Sequence, residues 1–355
     1  MREYAKGFRG AYASSAGVFS SLFILSLLVV PFTPSAQAVD DLMGLSLQDL
    51  LDVDVTSVSK KSERRSEAAA AIYVISNDDI RRSTATSIPD LLRTVPGVNV
   101  AQIDAHTWSV TVRGQGGEYA TKLLVLVDGR SVYTPLFSGV FWDTIDLVLE
   151  DVDRIEIIRG PGGTLWGANA VNGVINIVTK PADETQGGLI SAAAGSPLDG
   201  SLSLRYGDKI GDDHFYRMYV KGVKYDDAGS DLFGGDANDG WEQGRGGFRY
   251  DHDIDEQQHL TIQGDYFSLS SNSDYMIPEI SPPVFTRTPI TKIHTGFNAL
   301  GRWTNNYNDT DEISIQAYVD TYHYDSQILD ERRKTFDQEF QHHVQLRDRH
   351  ELIWG

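Results

Sequence analysis

The chain has 355 residues, long enough for two domains, with no cysteine and a formal charge of -19. The missing cysteine excludes disulfide frameworks, thiolate metal sites and cysteine nucleophiles together. The acidic balance argues against a nucleic-acid partner, because neutralising phosphate needs surplus Lys and Arg.

The N-terminus carries Arg2, Lys6 and Arg9, then a short apolar run over residues 18–30 that Pro31 ends, then Ala36-Gln37-Ala38 as an A-x-A cleavage site. The run is shorter than the ~20 residues of a spanning helix, so residues 1–38 are expected to be a cleaved signal peptide rather than a membrane anchor. No later stretch is apolar enough for a transmembrane helix, which leaves β-strands as the only route to a membrane role. Residues 39–62 form a separate N-terminal segment. A weak capping pattern at Ser46 to Asp49 allows one helical turn, and Val53, Val55 and Val58 then alternate with polar residues in a β-prone stretch. Lys60, Lys61, Arg64 and Arg65 mark a solvated linker.

A compact mixed α+β domain is expected over residues 63–182. Residues 72–75 read as a strand, and Ser76 or Asn77 can cap a short helix through Arg82. Ser87-Ile88-Pro89-Asp90 places proline in the first turn of a second helix, which Pro96-Gly97 ends. Residues 98–100 and 109–113 read as strands, and the continuous apolar run 123–127, bounded by Asp128-Gly129, as a buried one. Ile155, Ile157 and Ile158 are interrupted by Glu156, as in a strand with one face less buried. Gly160-Pro161-Gly162-Gly163 stops that strand. Gly167 and Gly173 suit tight backbone approach, but no Lys-Ser/Thr follows, so a phosphate-binding loop is excluded.

Beyond Gln186 the periodicity becomes strict alternation. Leu202, Leu204 and Tyr206 alternate with polar neighbours, as do Met218 and Val220, Ile262 and Tyr266, Phe297 and Trp303, and Ile313, Ile315 and Val319. A soluble sandwich and a membrane barrel share this signature. Segment length favours the barrel, since residues 313–324 can cross a bilayer at a tilt. So does the contrast between a short turn at 308–310 and long polar loops expected at 226–240 and 271–292. Asp226, Asp227, Asp231, Asp236 and Asp239 miss the EF-hand spacing and read as a solvated acidic loop.

One ordered set of short motifs links these elements: Ile88 to Val98, Val112-Arg113-Gly114, Leu126 to Gly129, Ile155 to Pro161, and Asn172 to Lys180. In order and spacing they resemble the TonB-dependent outer-membrane receptor family. The resemblance implies a plug inside a barrel of about 22 strands. Only roughly eight to ten strands fit into residues 183–355, so this region is expected to be a partial transmembrane barrel from a longer polypeptide.

The resemblance also implies roles for named residues. Asp52, Val53, Asp54, Val55, Thr56, Ser57 and Val58 are the candidate TonB box, the strand that a TonB-type inner-membrane energy-transducing protein would pair with; Ser57 departs from the usual small alanine. Arg113, Glu156 and Arg159 are candidates for a latch between plug and barrel. His106, Trp108, Tyr133, Phe137, Phe141 and Trp142 are ligand-contact candidates on outward plug loops. The implied function is import of a scarce nutrient, first an iron–siderophore complex and alternatively cobalamin or haem, through an outer membrane whose lipid surrounds the strands. No cofactor or bound metal is expected. A non-transporting signalling or adhesin-like surface protein is the rival of another class. An enzyme is disfavoured, because no acid, base and nucleophile converge in the motifs.

Overall fold

The computed structural model describes residues 54–55, 63–64 and 71–355, apart from 115, 118, 168, 230–234, 281–282, 309 and 348–349. The expected signal peptide, the helical turn after Ser46, and Asp52, Val53, Thr56, Ser57 and Val58 lie outside the described residues. Of the box-like stretch, β1 (Asp54–Val55) is described and pairs antiparallel with β2 (Glu63–Arg64).

The plug begins with β3 (Ile72–Ser76) and α1 (Asn77–Arg82). Ser76 is the cap: its Oγ accepts the Asp79 N–H at 3.2 Å while the Asp79 carboxylate accepts the Ser76 N–H at 2.9 Å. In α2 (Ile88–Leu92) Ser87 plays the same part and Pro89 sits where no amide is needed. A hairpin of β4 (Val98–Gln102) and β5 (Trp108–Val112) follows. Then come β6 (Leu123–Val127), β7 (Arg130–Ser131), β8 (Val152–Arg159), α3 (Gly163–Trp166) and β9 (Gly173–Thr179).

These strands form a five-stranded sheet in the order β3-β8-β9-β6-β7, with β6 and β9 parallel and the other pairs antiparallel. One apolar cluster contains Leu91, Leu92, Ile155, Ile157, Ile175 and Ile177, and another contains Val74, Ile158 and Val174. Because β8 lies between β3 and β9 with a cluster on each face, both its faces are closed. Glu156, read from sequence as marking the less buried face, is 0% exposed. Its carboxylate accepts from Arg154 Nε at 2.8 Å, which satisfies a group that would be costly to bury unpaired. Gly173 is required by close approach, since a Cβ there would lie 2.5 Å from the Ile158 carbonyl oxygen.

The second sheet has nine strands in sequential antiparallel order: β10 (Gly187–Ala193), β11 (Leu198–Ile210), β12 (His214–Tyr225), β13 (Trp241–Asp253), β14 (Gln258–Ile280), β15 (Pro283–Asn306), β16 (Glu312–Ser326), β17 (Asp330–Arg347) and β18 (His350–Trp354). It is an open arc; β10 and β18 are its two edges. Its polarity decides between sandwich and barrel. Ile190, Met218, Val220 and Phe336 are 77%, 55%, 56% and 71% exposed, whereas Arg217, Gln243 and Asn298 are 5%, 4% and 7% exposed against the plug. An apolar outer face and a polar inner one suit a lipid-embedded wall and would be unstable in water. Among the described residues no helix is long and apolar enough to cross a membrane.

The expected polar loop at 271–292 is instead hairpin. β14 and β15 have 23 and 24 residues and stay paired through Ile280↔Pro283, more than twice the roughly 9–11 residues a spanning strand needs. Each strand satisfies the other's backbone groups, so the ladder continues without an apolar face. The turns between β11 and β12, β13 and β14, and β15 and β16 define a short-turn end, and this hairpin projects from the opposite, long-loop end.

Candidate functional site

Toward the long-loop end, plug and wall enclose a cavity of about 210 Å³. His106, Trp108, Phe137, Phe141 and Trp142 line it, together with Tyr275, Lys292, His294 and Tyr324 from the wall. Tyr133 lies elsewhere: its carbonyl accepts from Arg333 at 2.7 Å and its hydroxyl meets Ser138. Trp142 also belongs to the plug's apolar core, and Trp108 lies beneath the Arg93 guanidinium, so both have structural work besides facing the cavity.

The loop between β4 and β5 is shaped from within. The Asp104 carboxylate accepts the N–H groups of His106 and Thr107 at 3.0 and 2.6 Å. It is tied to the wall by Trp241 Nε1 donating to the Ala105 carbonyl at 2.9 Å and by His106 Nε2 lying 3.1 Å from both the Asn272 carbonyl and Ser273 Oγ. On its other side, His106 Nδ1 is 3.6 Å from Asp143 Oδ2. Burial pushes the imidazole's pKa down, but Asp143 and Asp104 outweigh it and hold it above the ordinary 6.5. Burial likewise pushes the Asp143 carboxyl up, and the adjacent His106 imidazole brings it below its ordinary value.

The walls are aromatic. Phe141 stacks on Tyr322 and Tyr324 with centroids 5.9 and 6.1 Å away, and meets Phe137 edge-on at 5.0 Å. His294 Nδ1 is 2.6 Å from the Tyr322 hydroxyl, while its buried Nε2 has no partner. The Lys292 ammonium lies 5.2 Å from the Tyr275 ring centroid. The site can therefore receive flat or apolar surface and present donors to an anionic group.

Away from the cavity the interface is ionic, with acids on the plug and cations on the wall. Lys221 reaches Asp146 at 2.6 Å and the Leu147 carbonyl at 2.8 Å. Arg205 pairs with Asp151 at 3.2 Å, Arg217 donates to the Lys180 carbonyl at 2.6 Å, and Arg245 donates to the Thr144 carbonyl. One pair runs the other way, Arg130 of the plug to Asp320 of the wall at 2.6 Å, with Arg333 on the second Asp320 oxygen at 3.1 Å.

The Asp128-Gly129 turn is held from several sides. Both residues have positive φ, 51° and 85°, as a two-residue hairpin between β6 and β7 demands. The Asp128 carboxylate accepts from Thr179 N at 2.8 Å and Gln263 Nε2 at 2.9 Å, and its carbonyl accepts from Arg302 at 2.6 Å. A Cβ on Gly129 would come within 3.0 Å of Gln316.

Of the latch candidates, Arg159 donates to the Pro96 carbonyl at 2.8 Å and Glu156 is engaged by Arg154, both inside the plug, while Arg113 is exposed at φ 52°. The residues that do seat the plug went unread because their partners lie far away in sequence. In the acidic loop, Asp226, Asp227 and Asp236 are exposed, whereas Asp239 is buried rather than solvated. Asp227 Oδ1 accepts the N–H groups of Asp239 and Gly240, and Asp239 accepts those of Ala228 and Ala105. Asp231 lies outside the described residues.

A family model described as TonB-dependent Receptor Plug Domain matches residues 64–174. The chain is 33% identical over 147 residues to a vitamin B12 transporter BtuB of Vibrio vulnificus, a stretch making up 41% of this chain and 23% of that protein. It is 34% identical over 160 residues to the protein of the same name from Vibrio cholerae, covering 44% of this chain and 25% of the other. Among solved structures, the fold resembles the ferric-catecholate import receptor Fiu of E. coli K12 with a TM-score of 0.57 at 20% identity, over 79% of this chain and 45% of that one. It also resembles the siderophore receptor PiuA of Acinetobacter baumannii, with 0.58 at 19%, over 78% and 40%. The matched stretch is about a quarter of the length of the curated relatives.

Proposed function

We propose, from the premise that residues 64–174 are a TonB-dependent receptor plug domain and the strands after it part of such a receptor's wall, that the protein imports a scarce nutrient across the outer membrane of a Gram-negative bacterium. The ligand docks in the aromatic cavity, and an inner-membrane energy-transducing protein drives its release. The cavity, about 210 Å³, is smaller than the roughly 300–1,000 Å³ of a site that swallows a drug-sized ligand. It takes one moiety of something larger.

An iron chelate is our first reading. The observation that carries it is the pairing of Phe137, Phe141 and Tyr324 with the Lys292 ammonium and the unpartnered Nε2 of His294, surfaces that suit a flat, anionic, oxygen-rich ligand. Cobalamin is the second reading, favoured by the sequence relatives named as vitamin B12 transporters. Isothermal titration of the protein in detergent with a ferric catecholate and with cyanocobalamin separates them. The iron reading expects heat from the first and none from the second; the reverse result replaces it, and silence from both removes docking at this cavity.

For energy coupling, 52–58 is the segment we assign to the partner. Asp54 and Val55 are extended and ladder-paired, the conformation in which a strand adds to another protein's sheet edge through backbone hydrogen bonds. Val55→Pro removes a donor and bends the strand. Uptake should fall to background with ligand binding intact; unchanged growth on the limiting nutrient would remove the assignment.

A further inference from the structure

At the short-turn end, where β12 begins beside the end of β13, one cluster serves neither the cavity nor the plug contacts. His214 and His252 are direct cross-strand partners. Their rings stack with centroids 4.0 Å apart and planes 22° apart. Asp213, in the turn just before, has its carbonyl oxygen pinned by the Asp253 N–H at 2.9 Å. Ligand atoms of all three side chains lie within 4.8 Å of one another. His214 shares its face of β12 with the exposed Met218 and Val220, so the cluster sits on the outer surface of the rim and is open to solvent.

We propose that Asp213, His214 and His252 form a binding site for a divalent transition-metal ion. Donors held 2.0–2.2 Å from one ion stand about 3.3–4.3 Å from each other, a spacing reached when the two stacked imidazoles turn so that their in-plane lone pairs converge. Two imidazoles and one carboxylate select zinc, nickel or copper over magnesium or calcium, which take oxygen donors. The neighbouring groups are compatible with this. Asp253 is engaged by His259 Nδ1 at 2.6 Å, and Tyr250 Oη lies 2.7 Å from His214 Nδ1. With that nitrogen donating its proton to Tyr250, Nε2 keeps a lone pair and the ring is held in place, the usual support for a metal-bound histidine. The ion would fasten the turn between β11 and β12 to the neighbouring β13, three donors leaving room for water.

The test uses the untagged full chain in detergent, stripped with EDTA and titrated with Zn²⁺, with Mg²⁺ as control, and Cu²⁺ EPR to count nitrogens. The expectation is one tight Zn²⁺ per chain and two coordinated nitrogens. His252→Gln should weaken binding about a hundredfold, and Tyr250→Phe about tenfold. Asp213→Asn, in an exposed turn, keeps the test valid should a histidine variant misfold, and should cost about tenfold as well. Absence of Zn²⁺ binding up to about 1 mM, or binding that all three variants leave unchanged, overturns the proposal.

Discussion

The plug touches its wall in two chemically opposite ways. Toward the long-loop end the contact is aromatic and incomplete, with a cavity and an unsatisfied His294 Nε2. Deeper, at Asp146 and Asp151, it is ionic, with Lys221 and Arg205 as the partners from the wall. Apolar and aromatic surface is adaptable and accepts a guest, whereas buried charge tolerates few arrangements and so fixes register. One end leaves space between plug and wall, and the other holds them by charge.

The severest way to break this division is Asp320→Ala. It leaves two guanidiniums, Arg130 and Arg333, without their shared carboxylate in a buried place, and should cost about 3–5 kcal/mol in denaturant titrations. Replacing Arg130 and Asp320 together by apolar residues should return much of that loss; failure to do so would mean the ionic contact does more than set register. Phe141→Ala comes next. It removes stacking on Tyr322 and Tyr324, aromatic contacts of about 0.5–1.5 kcal/mol each, and should lower ligand affinity at least about tenfold while the denaturation midpoint moves less than for Asp320→Ala.

The smallest effect belongs to the His106–Asp143 tether. The histidine's raised pKa makes its contribution complete below the ordinary 6.5 and lost as pH rises through the higher folded value. The aspartate's depressed pKa makes its share complete above the ordinary 3.8 and lost as pH falls through the lower folded value. Protection factors at Ala105 and Thr107, corrected for the intrinsic pH dependence of exchange, should therefore be highest between those limits and fall on both sides. His106→Gln should flatten the alkaline limb.

Local signals were readable from the chain: the Ser76 and Ser87 caps, the Asp128-Gly129 turn, the apolar run of β6 and the alternation of the wall strands. Each depends on neighbours within a few positions. Tertiary context decided the rest. Glu156 resembles a half-exposed residue until β3 and β9 close both faces around it. The polar sequence at 271–292 resembles a loop because its stability comes from cross-strand pairing. The ion pairs that seat the plug join residues such as Arg130 and Asp320, 190 positions apart, and nothing nearby announces them. Among the ligand candidates, clustering of aromatics in two loops located the cavity's plug side, while Lys292 and His294 lay in a stretch read as loop or wall.

The inverted polarity of the wall has a consequence for the habitats such a protein can tolerate. Lys221, Arg217 and Arg245 are buried and meet their partners behind strands whose outer faces are apolar, and Debye screening acts mainly on exposed charges. Changes of salt concentration should therefore loosen the stopper only slightly. What dislodges it has to break those buried contacts themselves, which added salt reaches only weakly.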